Sequence, residues 1–460
     1  LTRQGNLEQG LLTLTAAIEQ LEQAKPTIYL AHALVRRTVA RRLHGDYTEA
    51  LHDTDRALAL LPRFGENESY LPQVHALALR SKGTVLFTQG KPEEGIGLLQ
   101  DALTIYEALH EPYNAASIRL DKAVVSLRLG HYQESLELFQ QALVAWQELG
   151  HLAGQALVLN NMGYLHHLQG DYAAALHHLE AALDCAQRSG STRTESYALI
   201  SMGDLFTELE LWQAAQEIYQ QARPITIKLN EQYLILTLEL AMVRLASLQK
   251  NWEAVYHYLD DASRLVVNKK SGYEWGLYRL AVGRCYFMQE QIEEAIEPLM
   301  DAKRYFEEGN QPIERATVYF LLAAAQQMAK QSTAAFAHLE QGIATLQLLE
   351  SHHALLPTLQ LIRPYLQNKR TQASQPAVPE LLSEIDIFEQ TIPKESRRIR
   401  KSASPALLPP TERQPQFHIR TLGQVSVTVE GKSLTTSDWQ TIVSRDLFLC
   451  LLAHPEGLRK

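Results

Sequence analysis

Cysteine is scarce in this chain. Three occur in 460 residues, Cys185, Cys285 and Cys450, and no two form a CxxC pair. That pattern excludes a disulfide framework and points to reduced thiols in a cytoplasmic protein. No apolar run reaches the ~18 residues of a membrane span, and no secretory leader is recognisable. Positive charge is in deficit: 43 Lys and Arg stand against 52 Asp and Glu, a net charge of -9. Phosphate backbones attract Lys and Arg, so a chain of this balance is a poor general binder of nucleic acid, and any DNA contact must come from a local basic element. Catalytic motifs are missing too. There is no GxxxxGK[ST] phosphate loop, no HExxH and no GxSxG elbow, so no enzyme activity and no cofactor are expected. The chain starts at Leu1, inside a repeat, and stops at Lys460, inside a different pattern; it is expected to be a fragment of a longer protein.

What is present is a period. A short turn element reads Gly5-Asn6-Leu7, Gly45-Asp46-Tyr47, Gly90-Lys91-Pro92, Gly130-His131-Tyr132 and Gly170-Asp171-Tyr172. It continues in degenerate form as Glu210-Leu211-Trp212, Lys250-Asn251-Trp252, Glu290-Gln291-Ile292 and Lys330-Gln331-Ser332. The step is 40 residues except for one of 45, whose insertion is expected in the Pro- and Gly-bearing stretch from Leu61 to Pro72. Twelve residues after each turn comes a small side chain: Ala17, Ala57, Ala102, Ala142, Ala182, Ala222, Ala262, Ala302 and Gly342. A second small column, five residues after the turn, runs Gly10, Ala50, Gly95, Ser135, Ala175, Ala215, Ala295 and Ala335, interrupted by Val255. Gly83, Gly163, Gly203 and Gly283 share a third column. Glycine costs ~1 kcal/mol in a helix interior, so its return there predicts close helix–helix packing. Large apolar residues such as Leu99, Phe139, Leu179, Tyr219 and Leu299 lie between the small columns at helical spacing. Each unit therefore reads as helix A, tight turn, helix B. Asp46 and Asp171 are expected N-caps of helix B, and the aromatic column Tyr47, Tyr132, Tyr172, Trp212 and Trp252 is expected in the core.

Over roughly residues 1 to 350 this pattern resembles the tetratricopeptide repeat in a lengthened 40-residue form, best seen from Leu159-Asn160-Asn161-Met162-Gly163-Tyr164 through Gly170-Asp171-Tyr172 to Ala182. Repeats of this length resemble the sensor arm of the maltose-regulon activator and its relatives. The implied fold is mainly α: a superhelical solenoid whose concave groove, lined by helices A, binds partners. Groove positions carried over from the family are Arg80, Asn160, Tyr164, His167, Tyr197, Asp204, Arg244 and Arg284. Arg244 and Arg284 are one unit apart, and two guanidinium groups there suit a carboxylate or phosphate. The bland alternative is a solvated groove in which these arginines pair with nearby acids. His166-His167 and His177-His178 flank one turn, but their spacing matches no metal signature; surface or packed histidines are expected, and no metal.

The array is expected to occupy residues 1–366, with 351–366 as its cap. Residues 367–416 carry seven prolines from Pro376 to Pro415 and read as a flexible linker, with one short amphipathic helix allowed at 380–390. Its basic cluster Arg397, Arg398, Arg400 and Lys401 is either a DNA-phosphate contact or ordinary linker solubility. From Phe417 the period changes to two: Phe417 and Ile419, then Val425, Val427 and Val429, with turns at Gly423 and Gly431. Trp439, a helical run from Ile442 to Ala453 and the stop His454-Pro455-Glu456-Gly457 follow. Residues 417–460 resemble the opening of an OmpR/PhoB-type winged helix, as at the head of antibiotic-pathway transcriptional activators; an unrelated small β-α domain is the alternative. The resemblance implies DNA binding only through an intact C-terminal domain, and no base-reading residue can be named.

Two functions of different class follow. One is the sensor arm of a bacterial transcriptional regulator, holding a protein partner or small-molecule effector in its groove. The other is a general protein–protein scaffold. No membrane partner is expected, and the sequence does not fix the oligomeric state.

Overall fold

The computed structural model describes residues 7–24, 27–65, 70–89, 91–267, 272–368 and 375–403, and the backbone of 417–420, 426–429 and 432–433. The chain divides into two compact units, 1–403 and 404–460. In the first, helix B of one unit alternates with helix A of the next. The B helices are α1 (Leu7–Glu22), α3 (Tyr47–Leu60), α5 (Pro92–Ala108), α7 (Tyr132–Glu148), α9 (Tyr172–Ser189), α11 (Trp212–Leu229), α13 (Trp252–Val266), α15 (Ile292–Glu308) and α17 (Ser332–Leu346). The A helices are α2 (Ile28–His44), α4 (Leu71–Thr88), α6 (Pro112–Leu129), α8 (Leu152–Leu168), α10 (Thr192–Glu208), α12 (Gln232–Leu248), α14 (Gly272–Met288) and α16 (Pro312–Met328). The insertion falls between α3 and α4, where Leu61–Arg63 adds a turn of 3-10 helix. This is a tetratricopeptide-like α-solenoid.

The turns explain the period. The described marker residues are left-handed whether or not they are glycine: Gly45, Gly130 and Gly170 have φ of 92°, 84° and 78°, and Glu210, Lys250, Glu290 and Lys330 have 58°, 56°, 62° and 61°. Each is followed by a backbone N–H reaching back five residues, as Asp171 N to His166 O at 2.9 Å and Gln331 N to Gln326 O at 2.8 Å. That bond satisfies a carbonyl the ended helix leaves free. The turns after helix B repeat the geometry at His110, Gly150, Gly190, Asn230 and Asn310, so the 40-residue unit is two modules of 20. Asp171 caps α9 by accepting from Ala174 N at 3.1 Å. Asp46 makes no such cap; its carboxylate lies 2.9 Å from His44 Nδ1 instead.

The small columns are wedged between helices. Ala57, Ala102, Ala142, Ala182, Ala222, Ala262 and Ala302 are fully buried. A Cβ on Gly163 would stand 2.6 Å from Leu179 Cγ, and one on Gly283 2.6 Å from Leu299 Cγ. Leu99, Phe139, Leu179 and Leu299 fill the layer between, each buried completely and each contributing about 1.5–3 kcal/mol. Tyr132 and Tyr172 of the aromatic column are core residues, whereas Trp212 keeps 38% exposure.

Neighbouring A helices pack on one another and form the inner wall, and the coil is tight enough for α16 to touch α6. Ile313 of α16 packs against the α6–α8 core. After α17 the chain stays with the array. Leu349 lies against Gly130 and His353 against Gly170. A 3-10 turn (His353–Leu355), α18 (Leu356–Leu361) and α19 (Arg363–Leu366) follow.

The expected linker needs correction. Val378–Ser402 is a 25-residue helix, α20, packed on α18, α19 and α9. Its buried stripe Leu381, Ile385, Phe388, Ile392 and Ile399 follows helical spacing. Pro379 sits in the first turn, where its missing N–H is no loss, and Pro393 is carried inside. The basic residues 397, 398, 400 and 401 are exposed on its last turns. In the second unit β1 (Phe417–Arg420), β2 (Ser426–Val429) and β3 (Lys432–Ser433) form an antiparallel sheet in that order, pairing Phe417 with Val429 and Thr428 with Ser433. Trp439, the expected helix 442–453, its stop and Cys450 lie outside the described residues.

Candidate ligand-binding groove

Side chains on the inner wall gather in two places. In the N-terminal half Arg80 of α4 holds Asp121 of α6 at 2.5 Å. Arg193 clasps Glu231 with two bonds of 2.6 and 2.7 Å and covers the Tyr197 ring at 5.1 Å. Arg128, on the last turn of α6, lies 5.2 Å from the Phe87 ring and 5.0 Å from the Tyr273 ring, and donates to the Tyr233 hydroxyl at 3.3 Å. Tyr273 donates in turn to Glu314 at 2.9 Å. Arg128 thus joins α6 to helices three and four units further along the chain.

The second gathering centres on Glu208, at the C-terminal end of α10. Its side chain is 8% exposed, with Oε2 3.3 Å from His167 Nε2 and 3.4 Å from Arg244 Nη2. Its Oε1 accepts from the Tyr172 hydroxyl at 3.0 Å and lies 3.3 Å from His353 Nε2. Burial works against the carboxylate most strongly, yet His167, His353 and Arg244 together outweigh it and hold Glu208 well below the usual carboxyl range. Asp204, one turn earlier, accepts from the Tyr219 hydroxyl at 2.8 Å; burial pushes its carboxyl up despite Arg244. His353 also meets the rings of Tyr172 and Phe388 edge-on, each at 5.5 Å. One carboxylate therefore ties α8, α9, α10 and α12 to the segment that leads into α20.

Beside this hub is a cavity of about 180 Å³. Thr207, Glu208, Glu210, Trp212, Arg244, Leu248 and Arg284 come from the array, and Pro357, Gln360, Phe388, Glu389, Ile392 and Pro393 from the C-terminal helices.

Residues 74–148 and 154–228 match the family model of the tetratricopeptide repeat. The array has the tetratricopeptide-type fold. A Rap protein complexed with Competence and Sporulation Factor is similar in structure, with a TM-score of 0.57 and 13% identity over 75% of this chain and 94% of that one. Aspartyl phosphate phosphatase F from Bacillus subtilis reaches 0.49 at 11% identity over 75% of this chain and 91% of that one. NprR in complex with its cognate peptide NprX reaches 0.49 at 13% identity, over 76% and 99%. At 13% identity the likeness to the Rap protein is one of fold. No curated protein matches the chain in sequence.

Of the eight groove positions carried over from the tetratricopeptide family, four meet around Glu208. His167 and Arg244 contact it, Asp204 lies within electrostatic reach of Arg244, and Arg284 shares the cavity with Arg244. Asn160 is buried, its Oδ1 accepting from Ser201 at 3.2 Å. Tyr164 is 40% exposed, Tyr197 lies under Arg193, and Arg80 is spent on Asp121. Among the described residues no group of three or more His, Cys, Asp or Glu is placed to hold a metal ion; His166 and His178 stack with centroids 5.2 Å apart. The sequence reading passed over Glu208 and Arg128. Both stand two residues before a turn marker, in a column that from the second marker on is otherwise made of Leu43, Thr88, Leu168, Leu248, Met288 and Met328. A charge in that column was a readable signal. His353 had none, because it follows the last repeat and its place is set by tertiary packing.

Proposed function

We propose that this chain is the sensor arm of a bacterial transcriptional regulator, working in the cytoplasm: the tetratricopeptide-type groove takes up a peptide or protein segment, or a small effector, and passes its state through α20 to a C-terminal winged-helix DNA-binding element. The observation that carries this reading is the seating of His353 and Phe388 at the Glu208 hub. A ligand that disturbs His167, Asp204 or Arg244 acts on the same contacts that dock α20, and α20 leads directly into residues 404–460. The Rap protein's fold, seen with Competence and Sporulation Factor, supports a groove of this kind as a receptor surface. The chain's own chemistry is binding rather than catalysis. DNA contact is assigned to the intact C-terminal domain alone, in keeping with the net charge of -9.

A ligand can shift the docking equilibrium only by its differential affinity for the docked and released states. The test uses peptides selected from a random library on the full chain. Their affinity is expected to fall about tenfold or more on the Tyr164→Ala/Tyr197→Ala double variant, and hydrogen exchange in 378–402 is expected to change when they bind. Equal affinity for both forms removes the groove from the argument. Binding with α20 unaffected favours the general scaffold.

A further inference from the structure

We propose that the cavity between the inner wall and the C-terminal helices binds a small free monocarboxylate bearing a ring-sized apolar group, with Arg284 as the anion's partner. The proposal rests on reading the inner face as a ligand-binding surface and names the chemistry of one part of it.

Size comes first. An engineered cavity of ~150 Å³ takes a benzene ring, and drug-sized pockets run from ~300 Å³. At about 180 Å³ this site suits one ring or branched aliphatic group with a charged end. Its walls supply the apolar part: Leu248 and Trp212 on one side, Phe388 and Ile392 of α20 on the other.

Charge comes second. Among the described residues Arg284 makes no hydrogen bond or ion pair. Burial, and then the neighbouring Arg244 guanidinium, hold its pKa down to about 10, and no carboxylate counters them. Of the acids that line the cavity, two are engaged by other groups and the third stands in solvent at the rim. Glu208 is shared by His167, Arg244, His353 and Tyr172. Glu389 is paired with Arg363. Glu210 is exposed, on a left-handed turn residue with φ of 58°. Arg244 Nε is also buried without a hydrogen-bond acceptor. A half-buried guanidinium with no acid beside it and a second cation next to it is costly to keep, and a carboxylate, with two oxygens in one plane, meets such donors as a fork. Phosphate has the charge but nothing for the apolar walls. Because α20 forms one wall, occupancy also fastens α20 to the array.

The experiment is thermal denaturation and calorimetry of the full chain with benzoate, acetate, benzamide and inorganic phosphate. Benzoate is expected to raise the melting temperature with concentration, while acetate, benzamide and phosphate at equal concentration do not. Arg284→Gln is expected to weaken benzoate about tenfold or more and to raise the melting temperature of the ligand-free protein, since a half-buried cation held beside Arg244 is gone. Arg284→Lys, which keeps charge but not the fork, is expected to fall between. No response to benzoate, a benzamide or phosphate response as large, or an unchanged benzoate response in Arg284→Gln overturns the proposal. Peptide binding that depends on Tyr164 and Tyr197 would survive that result, so the two failures are separable.

Discussion

At the scale of single residues the left-handed turn markers divide into two kinds. Gly130 and Gly170 are required twice, by φ of 84° and 78° and by Leu349 and His353 packed on their Cα atoms. Lys330, at φ of 61°, is a lysine where only the backbone geometry matters. Lys330→Gly is therefore expected to stabilise the chain by about 1 kcal/mol, because L-residues pay about that in the left-handed region; urea denaturation measures it. Gly163→Ala is expected to do the reverse, costing about 1–3 kcal/mol by overpacking against Leu179. Gly97, a helical glycine with nothing within 4 Å of an added Cβ, is the control, and its change to alanine should stabilise by roughly 0.5–1 kcal/mol. Glu208 carries a pH signature. Its folded carboxyl is held below the unfolded value of ~4.3, so its stabilisation is complete above that pH and is lost as the pH falls through the folded value. Glu208→Gln should cost about 3–5 kcal/mol at neutral pH. The gap between variant and parent should close on acidification, and a gap that stays constant from pH 7 to 3 would count against the hub.

At the scale of elements the informative piece is α20. Five apolar residues at helical spacing gave Val378–Ser402 a face to bury, and α9, α18 and α19 supply the surface. Neither proline breaks the helix: Pro379 stands in the first turn, and Pro393 lies in a helix held by packing on its apolar face. Docking also depends on the seat for His353. Gly170→Ala places a methyl group 2.6 Å from the His353 ring. It is expected to speed hydrogen exchange in 353–366 and 378–402 while exchange in α12–α15 stays slow. Uniform acceleration would mean that the glycine serves the repeat and not the docked segment.

At the scale of the whole array the coil closes on itself. Arg128 reaches Tyr233 and Tyr273, Gln133 N donates to Glu350 at 2.8 Å, and α16 lies on α6. In a solenoid each unit ordinarily touches only its neighbours, so stability adds up locally. Here contacts between distant units couple the two halves. Arg128→Ala is expected to loosen that closure without melting individual hairpins. The check is the distance distribution between spin labels at the exposed positions Glu137 and Gln341, which should broaden and lengthen; an unchanged distribution would show that apolar contacts such as Ile313 suffice.

Local chemistry settled the repeat. Small side chains recurring at a fixed repeat position serve close helix pairing, and the short turn markers serve a sharp reversal, so hairpins and their register were readable from the chain alone, while the inner placement of helix A came from the resemblance to the tetratricopeptide repeat. The Arg244–Arg284 pairing was legible for the same reason, since one period separates them. The sequence could not say how far the coil winds, because small rotations at each hairpin interface accumulate over eight units into a contact or a gap. That winding brought Arg128 to Tyr273 and placed His353 on Glu208. It also gave Arg284 a cavity wall made from α20, a helix that follows the last repeat and has no counterpart within the period.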